Sequence, residues 1–160
     1  MCFGNRTQRT SNPPFSGEIW LSQKTLHIRQ VRRQPQITML SMDAINIQEK
    51  FGLFSDHWSP KKIGELNGQQ IILAKVQGEF VFHKHDNEDE LFMVMKGQLI
   101  IELRGRSIVV NPGEFYTVPR GIEHKPTAKE ETHLLLFEPL STKHTGDVMT
   151  DITVKTYEEI

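Results

Sequence analysis

Two histidine-bearing segments constrain this chain more than any other feature. His83 and His85 stand two residues apart, so on a strand their side chains share one face. Four residues separate His85 from Glu90, enough for a turn that returns Glu90 beside them on a neighbouring strand. His124 follows later, after Gly113, Pro119 and Gly121, as part of another hairpin. Three imidazoles and a carboxylate converging on one point are ligands that a divalent transition metal prefers. Such convergence needs several short strands joined by tight turns.

The rest of the sequence supplies that pattern. Asn46 is placed to cap a short helix carrying Ile47, Phe51 and Phe54, spaced by four and three residues. Ser59 and Pro60 end it or begin a loop, and Asn67 and Gly68 form a tight turn before a strand over 71–76. Further strands are predicted over 79–85, 90–95, 99–103, 107–110, 114–118 and 132–138. Their separators are turn residues, among them Asn111, Pro112 and Gly113, which suit a type II turn. An edge strand over 151–157 is also expected. Many short strands with hairpin signals point to an all-β sandwich or barrel.

The two histidine segments resemble the paired motifs of the cupin superfamily. The first motif reads Gly, five residues, His-x-His, three or four residues, Glu, six residues, Gly; Gly78, His83, His85, Glu90 and Gly97 follow it, with four residues after Gly78. The second reads Gly, five residues, Pro-x-Gly, two residues, His, three residues, Asn; Gly113, Pro119, Gly121 and His124 match, and Ala128 stands at the Asn position. The resemblance spans roughly residues 66–140 and resembles small single-domain (monocupin) proteins of the cupin 2 conserved-barrel type. It implies a double-stranded β-helix, or jelly roll, here with a short N-terminal helix. It also implies one divalent metal (Mn, Fe, Ni, Co or Zn) on His83, His85, Glu90 and His124, and a homodimer. Asp89 is a rival for the carboxylate role, and the motif spacing favours Glu90.

Charge divides the chain. Residues 1–40 hold six Lys/Arg and one acid, a net of +5, while the remainder holds thirteen basic and nineteen acidic residues, a net of −6; together these give −1. Residues 1–41 are read as an extension outside the fold, and 42–160 as the cupin domain. The extension is either an organellar targeting peptide or the result of a start assigned too early, with Met39 or Met42 as the true beginning. The lack of a clean amphipathic helix or cleavage signal favours the second. A net charge near zero gives no reason to expect nucleic acid or an anionic membrane as partner. The single cysteine, Cys2, excludes an intrachain disulfide and suits a reducing, cytoplasmic setting. No apolar run is long enough to span a membrane.

Strand alternation assigns faces. With His83, His85 and Glu90 inward, Val81, Phe92 and Val94 should also point inward. Phe80, Phe82, Leu91, Met93 and Met95 should then form an outer apolar face, covered by the segment 45–58 or by a second copy. Asp86, Glu88 and Asp89 read as a solvated hairpin tip. His133, in phase with Leu135 and Phe137, is the candidate proton-transferring catalytic residue. His57 and Trp58 read as a packing corner, and His144 carries no pattern. No phosphate loop or nucleophile elbow is present.

The chemistry on offer is therefore metal-centred, with open positions for water, substrate or dioxygen. Two functional classes follow. One is a metal-dependent dioxygenase or an isomerase of the mannose-6-phosphate type. A phosphosugar would require basic residues near the metal, and Arg120, Lys125 and Lys129 are the nearby candidates. The other class is a non-catalytic module that binds a small oxygenated molecule.

Overall fold

The computed structural model describes residues 43–160. The expectation for residues 1–41 lies outside them. Helix α1 (Ile47–Phe51) is a single short helix that begins at Asn46. The Asn46 Oδ1 accepts the backbone N–H groups of Gln48 and Glu49 at 3.0 and 3.3 Å, which satisfies donors that a helix start leaves open.

Eight strands follow: β1 (Lys61–Leu66), β2 (Gln69–Glu79), β3 (Glu90–Lys96), β4 (Leu99–Leu103), β5 (Arg106–Val110), β6 (Phe115–Val118), β7 (His124–Pro139) and β8 (Glu158–Glu159). β1 and β2 form a hairpin closed by Asn67 and Gly68, both at positive φ (51° and 79°). Two successive left-handed residues match the twist of antiparallel strands, and Asn followed by Gly is the pair that tolerates them. The turn before β6 is also as predicted: Glu114 N–H bonds to Asn111 O at 2.9 Å, with Gly113 at φ 84° in the third position.

The strand path runs β5-β4-β7-β2-β1-β8, and β3 pairs with both β7 and β6. β7 is the central element. Its first residues pair with β4, its last with β3, and β2 runs along its other edge. Among the described residues this all-β jelly roll wraps around one core without a closed ring of strand pairing. Ile72, Ala74 and Val76 of β2, Phe92 and Val94 of β3, Leu99 and Ile101 of β4, and Leu134 and Leu136 of β7 fill that core. They alternate along each strand, as one buried sheet face requires.

On the outer side, Phe51 of α1 stacks on His133 with ring centroids 4.6 Å apart. The segment that contains α1 therefore covers part of the outer face. Leu91, Met93 and Met95 remain half-buried, and Phe115 beside Met93 is 63% exposed.

Several expectations need correction. β2 ends at Glu79, and residues 80–82 are not in a strand. Alternation therefore does not carry across them. Phe80 faces the interior against Trp58 and His83, with ring centroids at 4.8 and 5.2 Å, while Val81 is only half-buried. Phe82 lies on the outer side, where the Arg104 guanidinium covers its ring at 4.0 Å. β1 carries only a weak apolar pattern and was not expected. The terminal edge strand falls at 158–159 rather than 151–157.

Candidate metal centre

Three local devices position the four candidate ligands. His83 forms an isolated bridge with His124: each backbone N–H bonds to the other's carbonyl, at 3.0 and 2.8 Å. That exchange fixes the two rings 4.2 Å apart, centroid to centroid. His85 is held by its carbonyl, which accepts Gly121 N–H at 2.7 Å. Glu90 opens β3 and is locked in register opposite Val118. Lys84, between the two histidines, is exposed, so the His-x-His face survives outside a regular strand.

The four side chains are buried, and one ligand atom from each lies within 4.8 Å of all the others. His83 Nδ1 sits 3.0 Å from Val81 O, and His124 Nδ1 sits 3.0 Å from Ile122 O. A carbonyl only accepts, so Nδ1 carries the proton in both rings and Nε2 presents its lone pair to the cluster. The Nε2 atoms of His85 and His124 each stand 3.2 Å from Glu90 Oε2. His85 Nε2 has that distance without hydrogen-bond alignment, and among the described residues this buried nitrogen has no hydrogen-bond partner. A buried polar atom without a partner is costly, and a cation at the centre would satisfy it. The donor set and this orphaned nitrogen both fit a divalent transition metal.

Electrostatics agree. Burial, reinforced by the neighbouring His124, lowers the His83 imidazole to about 4, so it is neutral near pH 7. Burial acting alone would push the Glu90 carboxyl up; the His124 and His85 imidazoles beside it outweigh burial and hold Glu90 below the usual carboxylate range. Neutral imidazole and ionised carboxylate are the metal-binding forms.

The other candidates fall elsewhere. Asp89 is not part of the cluster: its carboxylate takes Arg120 Nε and Nη2 at 3.2 and 3.1 Å and the Arg120 backbone N–H at 2.9 Å. His133 is also outside the cluster. Leu134, Leu136 and Glu138 occupy the inward positions of β7, so His133 points to the outer face. There it stacks on Phe51 and its Nε2 pairs with Glu131 Oε1 at 2.9 Å. The proton-transfer role expected of His133 loses its geometric basis. Lys125 pairs with Glu79 and Glu102 at 3.1 and 3.0 Å, away from the centre.

Three polar residues near the centre escaped the sequence reading. Glu138 is buried, and Gln70 Nε2 donates to its Oε1 at 3.0 Å. Burial first, and the charge of Glu90 second, raise its carboxyl well above the usual range. Tyr157 O–H reaches the same Oε1 at 3.5 Å. His144 packs against Phe80 with ring centroids 5.1 Å apart. Glu138 had a legible signal, because it continues the parity of Leu134 and Leu136. His144 and Tyr157 had none, as they come from an irregular segment. Together with His83, Glu90, Phe92 and Leu136, His144 and Tyr157 line a cavity of about 30 Å³.

Comparison with known proteins agrees with this geometry. The family model for the cupin domain matches residues 70–138. A crystal structure of a cupin-2 domain containing protein from Shewanella frigidimarina is 50% identical, at a TM-score of 0.60, over 60% of this chain and 94% of that one. The chain belongs to the cupin family. This cupin is also similar to protein NMB1881 from Neisseria meningitidis, 26% identical at a TM-score of 0.57 over 61% of this chain and 99% of that one. A curated relative, the uncharacterized protein YdbB of Bacillus subtilis, is 30% identical over 96 residues, 59% of this chain and 79% of its own. Among the described residues of this cupin, no helix is long and apolar enough to cross a membrane.

Proposed function

We propose that this cupin holds one divalent transition metal on His83, His85, Glu90 and His124 and binds a small oxygenated organic molecule at it. The carrying observation is the set of four buried ligand atoms within 4.8 Å of one another, with two of the imidazoles tautomerically fixed toward the centre. Four protein ligands leave coordination positions free on a six-coordinate ion. Val76, Phe92, Leu134 and Leu136 make the surrounding wall apolar, the usual build of a small-molecule site. When bound, the metal supplies Lewis acidity toward a ligand oxygen. The chain's residues orient the ligand, exclude water and keep Glu90 ionised.

Among the described residues, neither Lys nor Arg lines the interior cavity. That speaks against a phosphosugar of the mannose-6-phosphate type, whose phosphate needs a cationic partner. A metal-dependent oxygenase or isomerase acting on an uncharged or carboxylated molecule is the enzymatic form of this reading. A second reading, capture of the ligand without turnover, is favoured by one observation: His133 lies on the outer face and supplies no proton-transfer group to the cavity.

Elemental analysis of protein purified without chelator tests the metal. One equivalent in the native chain is expected, and a large loss in His83→Ala/His85→Ala. Equal, near-zero content in both would remove the reading. Dioxygen uptake on iron-loaded protein, screened over small oxygenated acids, separates turnover from capture.

A further inference from the structure

The segment 141–157 leaves β7 and crosses the end of the jelly roll where the four ligands meet. It is anchored at both ends. Before it, Leu140 N–H bonds to Gly68 O at 3.1 Å, and after it β8 pairs with β1, where Ile160 N–H bonds to Lys62 O at 3.2 Å. Between the anchors it bonds mainly to itself. Val154 N–H donates to His144 Nδ1 at 3.1 Å, Thr145 Oγ1 meets Thr153 Oγ1 at 2.9 Å, and Gly146 N–H donates to Lys143 O at 2.9 Å. Past the turn at its start, two hydrogen bonds tie it to the barrel among the described residues. Ser141 Oγ donates to Glu88 at 2.9 Å on the exposed surface, and Tyr157 O–H reaches Glu138 at 3.5 Å. A self-bonded unit with few ties to its surroundings is what opens locally.

This segment seals the metal centre on two sides. His144 and Tyr157 line the cavity of about 30 Å³ beside His83 and Glu90, and they also line an outer groove of about 450 Å³. They are the partition between the two. On the other side, Lys143, Gly146 and Asp147 share a hollow of about 150 Å³ with Lys84 and His85. Gly146 lies so close to the backbone between the two histidines that a Cβ there would overlap the Lys84 carbonyl oxygen. The inner cavity has room for little more than one or two waters, whereas the outer groove is the size of a small-molecule site. An organic ligand that reaches the centre from the outer groove must displace the partition. The cupin match ends at Glu138, so this closure lies outside the matched domain.

We propose that residues 141–157 are a strap that gates the metal centre, opening as a unit between its two anchors to admit the ion and its ligand from the outer groove. This rests on the reading of the four-ligand cluster as a metal site, and the test separates the two. Full-length protein is loaded with Co²⁺, and the rate at which excess EDTA strips the ion is followed. Gly146→Ala wedges the strap away from Lys84, while Ser141→Ala/Tyr157→Phe removes its two ties without strain. Both are expected to load the same stoichiometry as wild type and to lose the ion at least about tenfold faster, a shift of ~1.4 kcal/mol in the opening equilibrium. Unchanged rates in both variants overturn the gate. Native-state hydrogen exchange on the metal-free chain supplies the independent arm. The amides of Gly146, Val148, Thr153 and Val154 should exchange together, faster than those of β2 and β7, and faster again in both variants. Exchange as slow as the core overturns the strap whatever the metal result. Failure to load Co²⁺ with cooperative strap exchange intact removes the metal reading alone.

Discussion

Glu90 Oε2 lies 3.2 Å from Nε2 of His124, whose Nδ1 is tied to Ile122 O. The carboxylate therefore faces the lone pair of a fixed ring, an arrangement that repels itself unless a proton or a metal lies between them. Glu90→Gln keeps the shape and removes the charge. It should weaken metal binding by more than the ~10–100-fold typical of losing an outer partner of a ligand. Competition against a chromophoric chelator measures this, and affinity equal to wild type would show that Glu90 is not a ligand.

Metal removal should also be visible as stability. An ion that binds only the folded chain stabilises it by about 2.7 kcal/mol at a hundredfold excess over Kd, which raises the thermal midpoint of a domain this size by several degrees. Differential scanning fluorimetry with and without chelator reads it. His124→Ala should show no such difference.

The acid limb of stability should carry His144. Burial lowers its imidazole to about 4, against an ordinary value of 6.5. The unfolded chain then binds a proton between those values that the folded chain refuses. Stability is fully present above about pH 6.5 and is lost as pH falls from there towards 4. The loss approaches about 3 kcal/mol for this one group, at ~1.4 kcal/mol per pKa unit. Urea melts of wild type and His144→Gln across that window should converge as pH falls. Parallel curves would show that His144 does not titrate this way.

His133→Ala is expected to leave metal content unchanged and to cost about 1–2 kcal/mol of stability, from the lost stacking on Phe51 and the lost bond to Glu131. Metal analysis with a denaturant melt decides it. A loss of metal would place His133 nearer the centre than its outward position allows.

What is legible in the sequence follows a physical boundary. Glu90, Phe92 and Val94 alternate within a regular strand, so their inward faces were legible. Phe80 lies where β2 has ended, beyond the bulge between Val76 and Gly78, so alternation gave it the wrong face. His83 and His85 kept their shared face because the backbone bonds to His124 and Gly121 hold the chain extended there. Glu138 is legible by parity with Leu136, on the face opposite His133. The strap that brings His144 and Tyr157 to the cavity has no period at all, and no local rule could place it.

The outer face supports the last prediction, a homodimer. Phe80 and Phe82 leave the expected patch, one buried and one covered by Arg104. What remains is built from cross-strand pairs on β3, β6 and β7: Leu91 opposite Phe137, and Met93 opposite both Leu135 and Phe115. Phe115 is 63% exposed at its margin. A contiguous apolar face of this kind on a sheet is rarely left in water, and among the described residues helix α1 covers the part near His133. Met93 sits at the centre, so Met93→Asp places a charge where two copies would meet, while its outward position spares the core. Light scattering at micromolar concentration should give twice the chain mass for wild type and the monomer mass for Met93→Asp, with metal content unchanged in both. A monomeric wild type over that range would remove the dimer and leave the metal centre untouched, because all four ligands come from one chain.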